Sequence, residues 1–443
     1  MKDTDKDMRM KRKNLLVVIS ILVIAISLLA FALIENKGKS GSENTTTKNV
    51  IENKSTEEKT EEPTTEEPTT EAPVEVNLIA LGDDLLHPGI IRTGIQDDGS
   101  YNFDFLFENI SQYISNADIA VINQETIFGD DTKEFSGYPK FNSPTAVGDA
   151  IAKAGFNVVL HASNHARDMG KTGLLNCVEY WKTQPTVNVL GIHGSAEEQN
   201  EITVIDIKGI KFALLNYTYS HNAASFAKDV DGLLDMLCAY DKDTRMIDFN
   251  TINPKVLEDI KKADEMADVV IVFPHWGTEY TLKPTDQEKN FAKLMTEAGA
   301  DLIIGTHPHV IQPIEWVEAD NGNKALCYYS LGNFVSTQDR AVSMLGGMAY
   351  VNITKVDGVI TIGTKGTGAI PLVTHYTNTH ANSYPYLVGE YLLADYTEEL
   401  AAKHGMMVRY KSYLSSNPYR YLVTKEKLDN WAREVFGDWL IER

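Results

Sequence analysis

The side chains best suited to chemistry in this 443-residue chain sit where apolar runs stop. VNLIALGDD ends at Asp83, ADIAVINQET carries Glu125, and NVVLHASNHARD supplies Asn164 and His165. DVVIVFPHWGTEY supplies His275, and ADLIIGTHPHVIQ supplies His307 and His309. Short apolar runs bounded by polar residues read as buried strands. Ligand sites in α/β sheets form outside the carboxyl ends of strands, so these residues are placed to converge. One Asp, one Glu, one Asn and three His make a mixed oxygen and nitrogen set that suits Zn, Mn or Fe(II), one ion or two. Two ions about 3.5–4 Å apart can clamp an in-line displacement at phosphorus.

Each residue also has a blander reading. A single strand-end His is commonly a surface or hydrogen-bonded residue, and His87 and His161 stay open between that and ligation. His307 and His309 share a face if the strand continues through them, because its period is two. Pro308 stiffens the turn between them. Asn164 offers a neutral oxygen, and the adjacent His165 is a candidate general acid. Asp168 either holds the His165 tautomer or caps the helix that follows. Asn333 in SLGNF either brings an amide to the site or only makes a tight turn with Gly332. Trp276 and Tyr280 flank His275 as pocket walls or as core aromatics. Arg167 and Arg340 are anion contacts or solvated surface residues.

The elements that must position these residues alternate. Helices are expected at Asp104–Ile114, in SPTAVGDAIAKAGF behind an N-cap Ser143, and in TGLLNCVEYWKT, PKVLEDIKKADEMA and TDQEKNFAKLMTEAG. Between them VNVLGIHG, IKFALLNYTYS and ALCYYSLGNFV read as strands, and AYVNITKVDGVITIGTKGTGAIPLVT as a β-meander turning at Asp357-Gly358. Strands alternating with helices imply βαβ units with helices on the sheet faces. Beyond about residue 376, GEYLLADYTEELAAKHG and KEKLDNWAREVFGDWLIER both read as amphipathic helices.

GDD, INQET, SNHARDMG, HWGTEY, GADLIIGTHPHVIQ and YSLGNF, in that order over roughly residues 77–375, resemble the CapA capsule-biosynthesis family, also called the PgsA or poly-γ-glutamate biosynthesis family. That family is similar to calcineurin-like metallophosphoesterases. The resemblance implies a four-layer α/β/β/α sandwich with a two-metal site over residues 76–375; the amphipathic patterns beyond it read as a helical extension over 376–443. It implies that Asp83 is the first metal-binding aspartate and that Glu125 stands where a bridging aspartate is usual. Asn164, His275, His307 and His309 would be ligands, and His165 the acid that contacts phosphate. The usual D-x-H motif is absent, since Asp83 is followed by Asp84 and Leu85. The implied role is in capsule or poly-γ-glutamate production, either as a metal-dependent hydrolase or as a non-catalytic part of a membrane synthesis and export complex. An anionic polymer or a phosphoester is the implied substrate.

The N-terminus sets the expected compartment. Leu15 to Ile34 is a twenty-residue run without charge, long enough to span the hydrocarbon core as a helix. Six basic residues precede it, so residues 1–14 are expected in the cytoplasm and the rest outside, on a single-pass anchor. Residues 35–75 are rich in Thr, Glu and Pro and read as an extended stalk. The net charge of −21 lies mostly beyond residue 75, which argues against nucleic-acid binding. Cys177, Cys238 and Cys327 lie in apolar stretches and read as small buried hydrophobes.

Overall fold

The computed structural model describes residues 72–363, 365–378 and 386–442. The expected anchor at 15–34 and stalk at 35–75 lie outside the described residues, apart from the last few of the stalk. Among the described residues no helix is long and apolar enough to cross a membrane.

The architecture is mixed α/β with two large sheets and a small one. In chain order the strands are β1 (Val74–Asp84), β2 (Ile119–Asn123), β3 (Val158–Leu160), β4 (Asn188–Leu190), β5 (Thr203–Ile207), β6 (Ile210–Thr218), β7 (Cys238–Tyr240), β8 (Ile247–Ile252) and β9 (Val269–His275). They continue with β10 (Leu302–Ile304), β11 (Ile314–Glu318), β12 (Lys324–Tyr328), β13 (Asn333–Val335), β14 (Leu345–Val356), β15 (Val359–Ile362), β16 (Gly368–Thr377) and β17 (Tyr386–Leu392). A nine-stranded sheet runs β17-β16-β14-β1-β2-β3-β4, with β13 on β1 and β15 on β14. A six-stranded sheet runs β11-β12-β10-β9-β6-β5, and β7 pairs with β8 alone.

Each large sheet has a parallel centre. β1 to β4 are parallel neighbours, as are β12, β10, β9 and β6. Parallel strands run the same way, so their carboxyl ends gather at one edge, where the polar residues lie. The sheets meet across a shared core: the Tyr328 hydroxyl, from β12, donates to the Gly368 carbonyl at the start of β16 at 3.0 Å. Two helices of the six-stranded half show why the chain turns where it does. Pro254–Met266 starts behind Asn253, whose side chain accepts from Lys255 N. Asp286–Ala298 starts with a capping box between Thr285 and Glu288 and stops at Gly299, φ 119°.

Several local expectations change. Asp104–Ile114 is two 3₁₀ turns, and a short helix runs only from Ser111 to Asn116. The next helix, Ala146–Ala154, has Thr145 at its N-cap; the Ser143 hydroxyl instead donates to Thr126 Oγ1 at 2.8 Å. GEYLLAD is not an α-helix: only a 3₁₀ turn, Leu393–Asp395, follows the strand. Gly389–Leu392 finish β17, which pairs antiparallel with β16, so the region after residue 376 extends the sheet before turning into helices. The amphipathic helix near the end is present, at Lys425–Phe436. The meander turns at Asp357-Gly358 as expected, with φ of 50° and 79°. All three cysteines are buried and free.

Candidate metal and acid–base site

β1 ends at the site through a close backbone contact. Asp83 N donates to Gly332 O at 2.9 Å, and a Cβ on Gly82 would lie 1.9 Å from that same carbonyl oxygen. Only glycine lets β1 and β13 approach this closely. Asp83 is fully buried and accepts from Asn123 Nδ2 at 2.8 Å and from the His307 backbone N–H at 3.1 Å. His309 Nδ1 lies 3.1 Å from both Asp83 Oδ2 and Asn333 Oδ1. The Asn333 amide therefore does reach the cluster, and Gly332, φ 66°, makes the turn that delivers it.

Strand periodicity misplaced one pair. β10 stops at Ile304, and His307 and His309 lie on a loop with φ of 97° and 58°. Left-handed backbone at a non-glycine residue costs on the order of 1–3 kcal/mol and concentrates at functional sites. Both imidazoles nevertheless reach the same cluster.

Two groups of ligand atoms result, Glu125 with His275 and His307, and Asp83 with Glu125 and His309; within each, the atoms lie within 4.8 Å of one another. Glu125 belongs to both. Its two oxygens and His307 Nδ1 are buried with no hydrogen-bond partner among the described residues. Burial, then the neighbouring Asp83 carboxylate, raises the Glu125 pKa well above the usual range. Burial, then the other imidazoles, pushes His275 and His307 well below theirs. Buried polar atoms without partners are costly, and a divalent cation shared by these acceptors would satisfy them. Asn164 Oδ1, 2.9 Å from His275 Nε2, adds a neutral oxygen. His275 Nδ1 rests on Thr306 Oγ1 at 3.0 Å, leaving Nε2 for the cluster. The donor set fits one or two ions of the Mn, Zn or Fe kind.

His165 sits beside this set. Its Nδ1 is 2.7 Å from Asp168 Oδ2, and its Nε2 is 4.0 Å from Glu125 Oε1. Asp168 also accepts from Phe141 N at 2.7 Å. The helix that follows, Gly170–Trp181, has Met169 at its N-cap and no side-chain cap, so Asp168 serves the imidazole and not the helix. A cavity of about 560 Å³ touches Lys140, Asn164, Arg167, Asp168 and Asn222, and one of about 260 Å³ touches Leu85, His87, Tyr280, His309 and Gln338. Tyr138, His165 and Glu279 line both cavities.

Other expectations resolve away from the ligands. Trp276, expected as a pocket wall, is buried, with its indole N–H on the Tyr329 carbonyl at 3.0 Å. His161 accepts from Trp181 Nε1 at 2.7 Å and is a core residue. Arg167 forms a two-pronged pair with Asp229, and Arg340 lies 3.9 Å over the Tyr280 ring. The sequence reading passed over Asn123, Tyr219 and Asn222. Tyr219, just past β6, packs its ring 4.6 Å from that of His307. The strand-end rule, applied to IKFALLNYTYSHN as it was to the other runs, would have flagged Tyr219 and Asn222.

Residues 77–338 match the model of the family described as Bacterial capsule synthesis protein PGA_cap, which is more than half of the chain. The chain belongs to this capsule synthesis family. The family residues include every ligand-set member named above as well as His165 and Asp168. The chain is 31% identical over 248 residues to the Capsule biosynthesis protein CapA of Bacillus anthracis, covering 54% of this chain and 55% of that one. It is 31% identical over 186 residues to the PGA biosynthesis protein CapA of Bacillus subtilis (strain 168), covering 41% and 43%. The chain thus spans about half the length of these curated relatives. Among solved structures, a hypothetical protein from Thermus thermophilus aligns at a TM-score of 0.36 with 14% identity, over 65% of this chain and 98% of that one. TT1561 of the same organism aligns at 0.32 with 9% identity, over 66% and 99%.

Proposed function

We propose that this capsule synthesis family member is a metal-dependent hydrolase of capsule or poly-γ-glutamate production, anchored by residues 15–34 with its catalytic domain outside the cell. We read its two sheets and their helices as the four-layer sandwich of a metallophosphatase-like scaffold. The observation that carries the activity is Glu125, a buried carboxylate with no hydrogen-bond partner among the described residues and shared by two ligand groups, with the His165–Asp168 pair beside it. Asp83, Glu125, Asn164, His275, His307 and His309 would hold the metal. A bound divalent ion would supply Lewis acidity and lower the pKa of a coordinated water.

The chain's own residues do the rest. Asp168 accepts the Nδ1 proton of His165, which fixes the tautomer and turns Nε2 toward the cleft. In the imidazolium form, with the Nδ1 proton held by Asp168, His165 can give its Nε2 proton to a leaving oxygen or nitrogen and is left as the neutral Nδ1–H tautomer, a contribution of about 10²–10⁴-fold in rate. The buried walls keep bulk water from the ligand atoms. The two cavities that His165 lines leave room for substrate beside it. A phosphoester, or an amide or ester of the polymer, is the proposed target.

One observation favours a second reading, a non-catalytic component of a polymer synthesis and export complex. Leu85 occupies the place where the resemblance leads one to expect a motif histidine, and it lines the smaller cavity. Turnover of phosphomonoester, phosphodiester and γ-linked glutamate substrates by protein loaded with Mn²⁺, Zn²⁺ or Fe²⁺ decides between them. His165→Ala should keep its metal and lose activity by about 10²–10⁴-fold, whereas His307→Ala should lose the metal itself. Metal-loaded wild-type protein that turns over none of these substrates, with His165→Ala supporting normal polymer production in cells, would establish the non-catalytic reading.

A further inference from the structure

An amide has a donor end and an acceptor end, and only the acceptor end of Asn164 is of use to a cation. The structure gives that side chain two contacts. Its Oδ1 lies 2.9 Å from His275 Nε2, inside the cluster, and its Nδ2 donates to Asn222 Oδ1 at 3.1 Å. Rotating the amide by half a turn would put Nδ2 among the ligand atoms and set two oxygens against each other at Asn222. The Asn222 acceptor is thus what makes one orientation of Asn164 better than the other.

Asn222 is in turn oriented. Its Nδ2 faces His165 Nδ1 at 3.5 Å. That nitrogen gives its proton to Asp168 at 2.7 Å and cannot also accept one, so the donor end of Asn222 lies beside the imidazole–carboxylate pair without bonding to Nδ1. The negative end of that pair favours an N–H₂ there over an oxygen. The sense of the chain runs one way, from Asp168 through Asn222 to Asn164. The backbone supports it: Asn222 has φ 61°, a left-handed conformation that Asn and Gly adopt most readily. Asn222 sits on the loop after β6, open to solvent at the mouth of the larger cavity, above the buried Asn164.

We infer that Asn222 is a positioning residue that sets the Asn164 amide, aims its oxygen into the ligand cluster, and ties that ligand to the acid pair. The inference rests on the metal reading above. Removing a residue that orients a ligand typically lowers metal affinity by about 10–100-fold.

The test uses Asn222→Gly and Asn222→Asp in the full chain. Glycine keeps the left-handed backbone and removes the amide; aspartate keeps an acceptor for Asn164 Nδ2. Mn²⁺ and Zn²⁺ affinities are read by calorimetry. Asn222→Gly should bind about 10-fold or more weakly, and Asn222→Asp, which keeps the acceptor for Asn164 but turns an oxygen toward the acid pair, should lose clearly less. Equal affinities for the glycine variant and wild type would overturn the inference, as would an equal loss in both variants. Wild-type protein that binds neither ion would sink the metal reading instead. Crystal structures then decide the amide's role: in Asn222→Gly the Asn164 Oδ1 contact to His275 Nε2 should open, and its survival unchanged would refute the positioning role.

Discussion

Replacing Glu125 by Gln should reverse the stability order of mutant and wild type when metal is added. In metal-free protein the Glu125 carboxylate is buried with neither oxygen hydrogen-bonded and with Asp83 close by. Leaving a buried polar group unsatisfied costs about 1–3 kcal/mol, and more when it is charged. Gln cannot ionise, so the penalty that burial and Asp83 place on the carboxylate is gone, and its N–H₂ can donate to the neighbouring acidic and imidazole acceptors. Metal-free Glu125→Gln should therefore be more stable than metal-free wild type by about 1–3 kcal/mol, a rise of a few degrees in Tm. With metal at about 1,000 times Kd, wild type should gain about 4.1 kcal/mol. The variant should gain little, because the residue common to both ligand groups has lost its anionic oxygen. Calorimetric melts of both proteins, in chelator and in excess Mn²⁺ or Zn²⁺, measure all four states. A variant less stable than wild type in chelator, or stabilised as much as wild type by metal, would refute the argument.

Three further outcomes are expected. Burial pushes His375 down to about 4 and His404 to about 3, so below pH 6.5 the unfolded chain takes up protons that the folded chain refuses. Stability should fall as pH drops from about 6.5 toward 4, by up to about 1.4 kcal/mol per pH unit for each histidine, and urea midpoints at pH 7 and 5 should converge in His375→Gln. Gly82→Ala drives a Cβ into the Gly332 carbonyl and should cost about 1–3 kcal/mol or more, with metal affinity falling because Asp83 is displaced; an unchanged melting curve would contradict the close approach. Trp181→Phe leaves His161 Nε2 with only the weak Cys177 Sγ contact at 3.6 Å and should cost about 1–3 kcal/mol while leaving metal affinity alone; a lost metal would make His161 part of the site.

The strand ends were legible because burial and chemistry leave separate marks on a parallel sheet. The apolar run shows the strand, and the first polar residues after it show the edge. Asp83, Glu125, Asn164 and His275 were found this way. Periodicity could not show that β10 ends at Ile304, because a hydrophobic pattern carries no mark of the left-handed backbone at His307 and His309. β17 was misread because GEYLLAD has helix-favouring composition, and pairing with β16 overrides that preference. The short β7–β8 pair and the edge strand β11 carry few core residues, so their patterns are faint. Asp168 was undecidable locally: a carboxylate three residues from an imidazole and ahead of a helix suits either neighbour until the fold chooses.

Asp83, Glu125 and Asn164 lie in or just after strands of the nine-stranded sheet, whereas His275, His307 and His309 lie in or just after strands of the six-stranded one. The contact between Asp83 and His309 joins positions 226 residues apart in the chain. Each of the two ligand groups draws on both sheets, so neither is complete until the sheets dock, and closing so long a loop is entropically costly. The ligand geometry therefore registers how well the two sheets are docked. A loosening anywhere along that seam, even far from any ligand, would first be felt as a widening of the distances between imidazole and carboxylate.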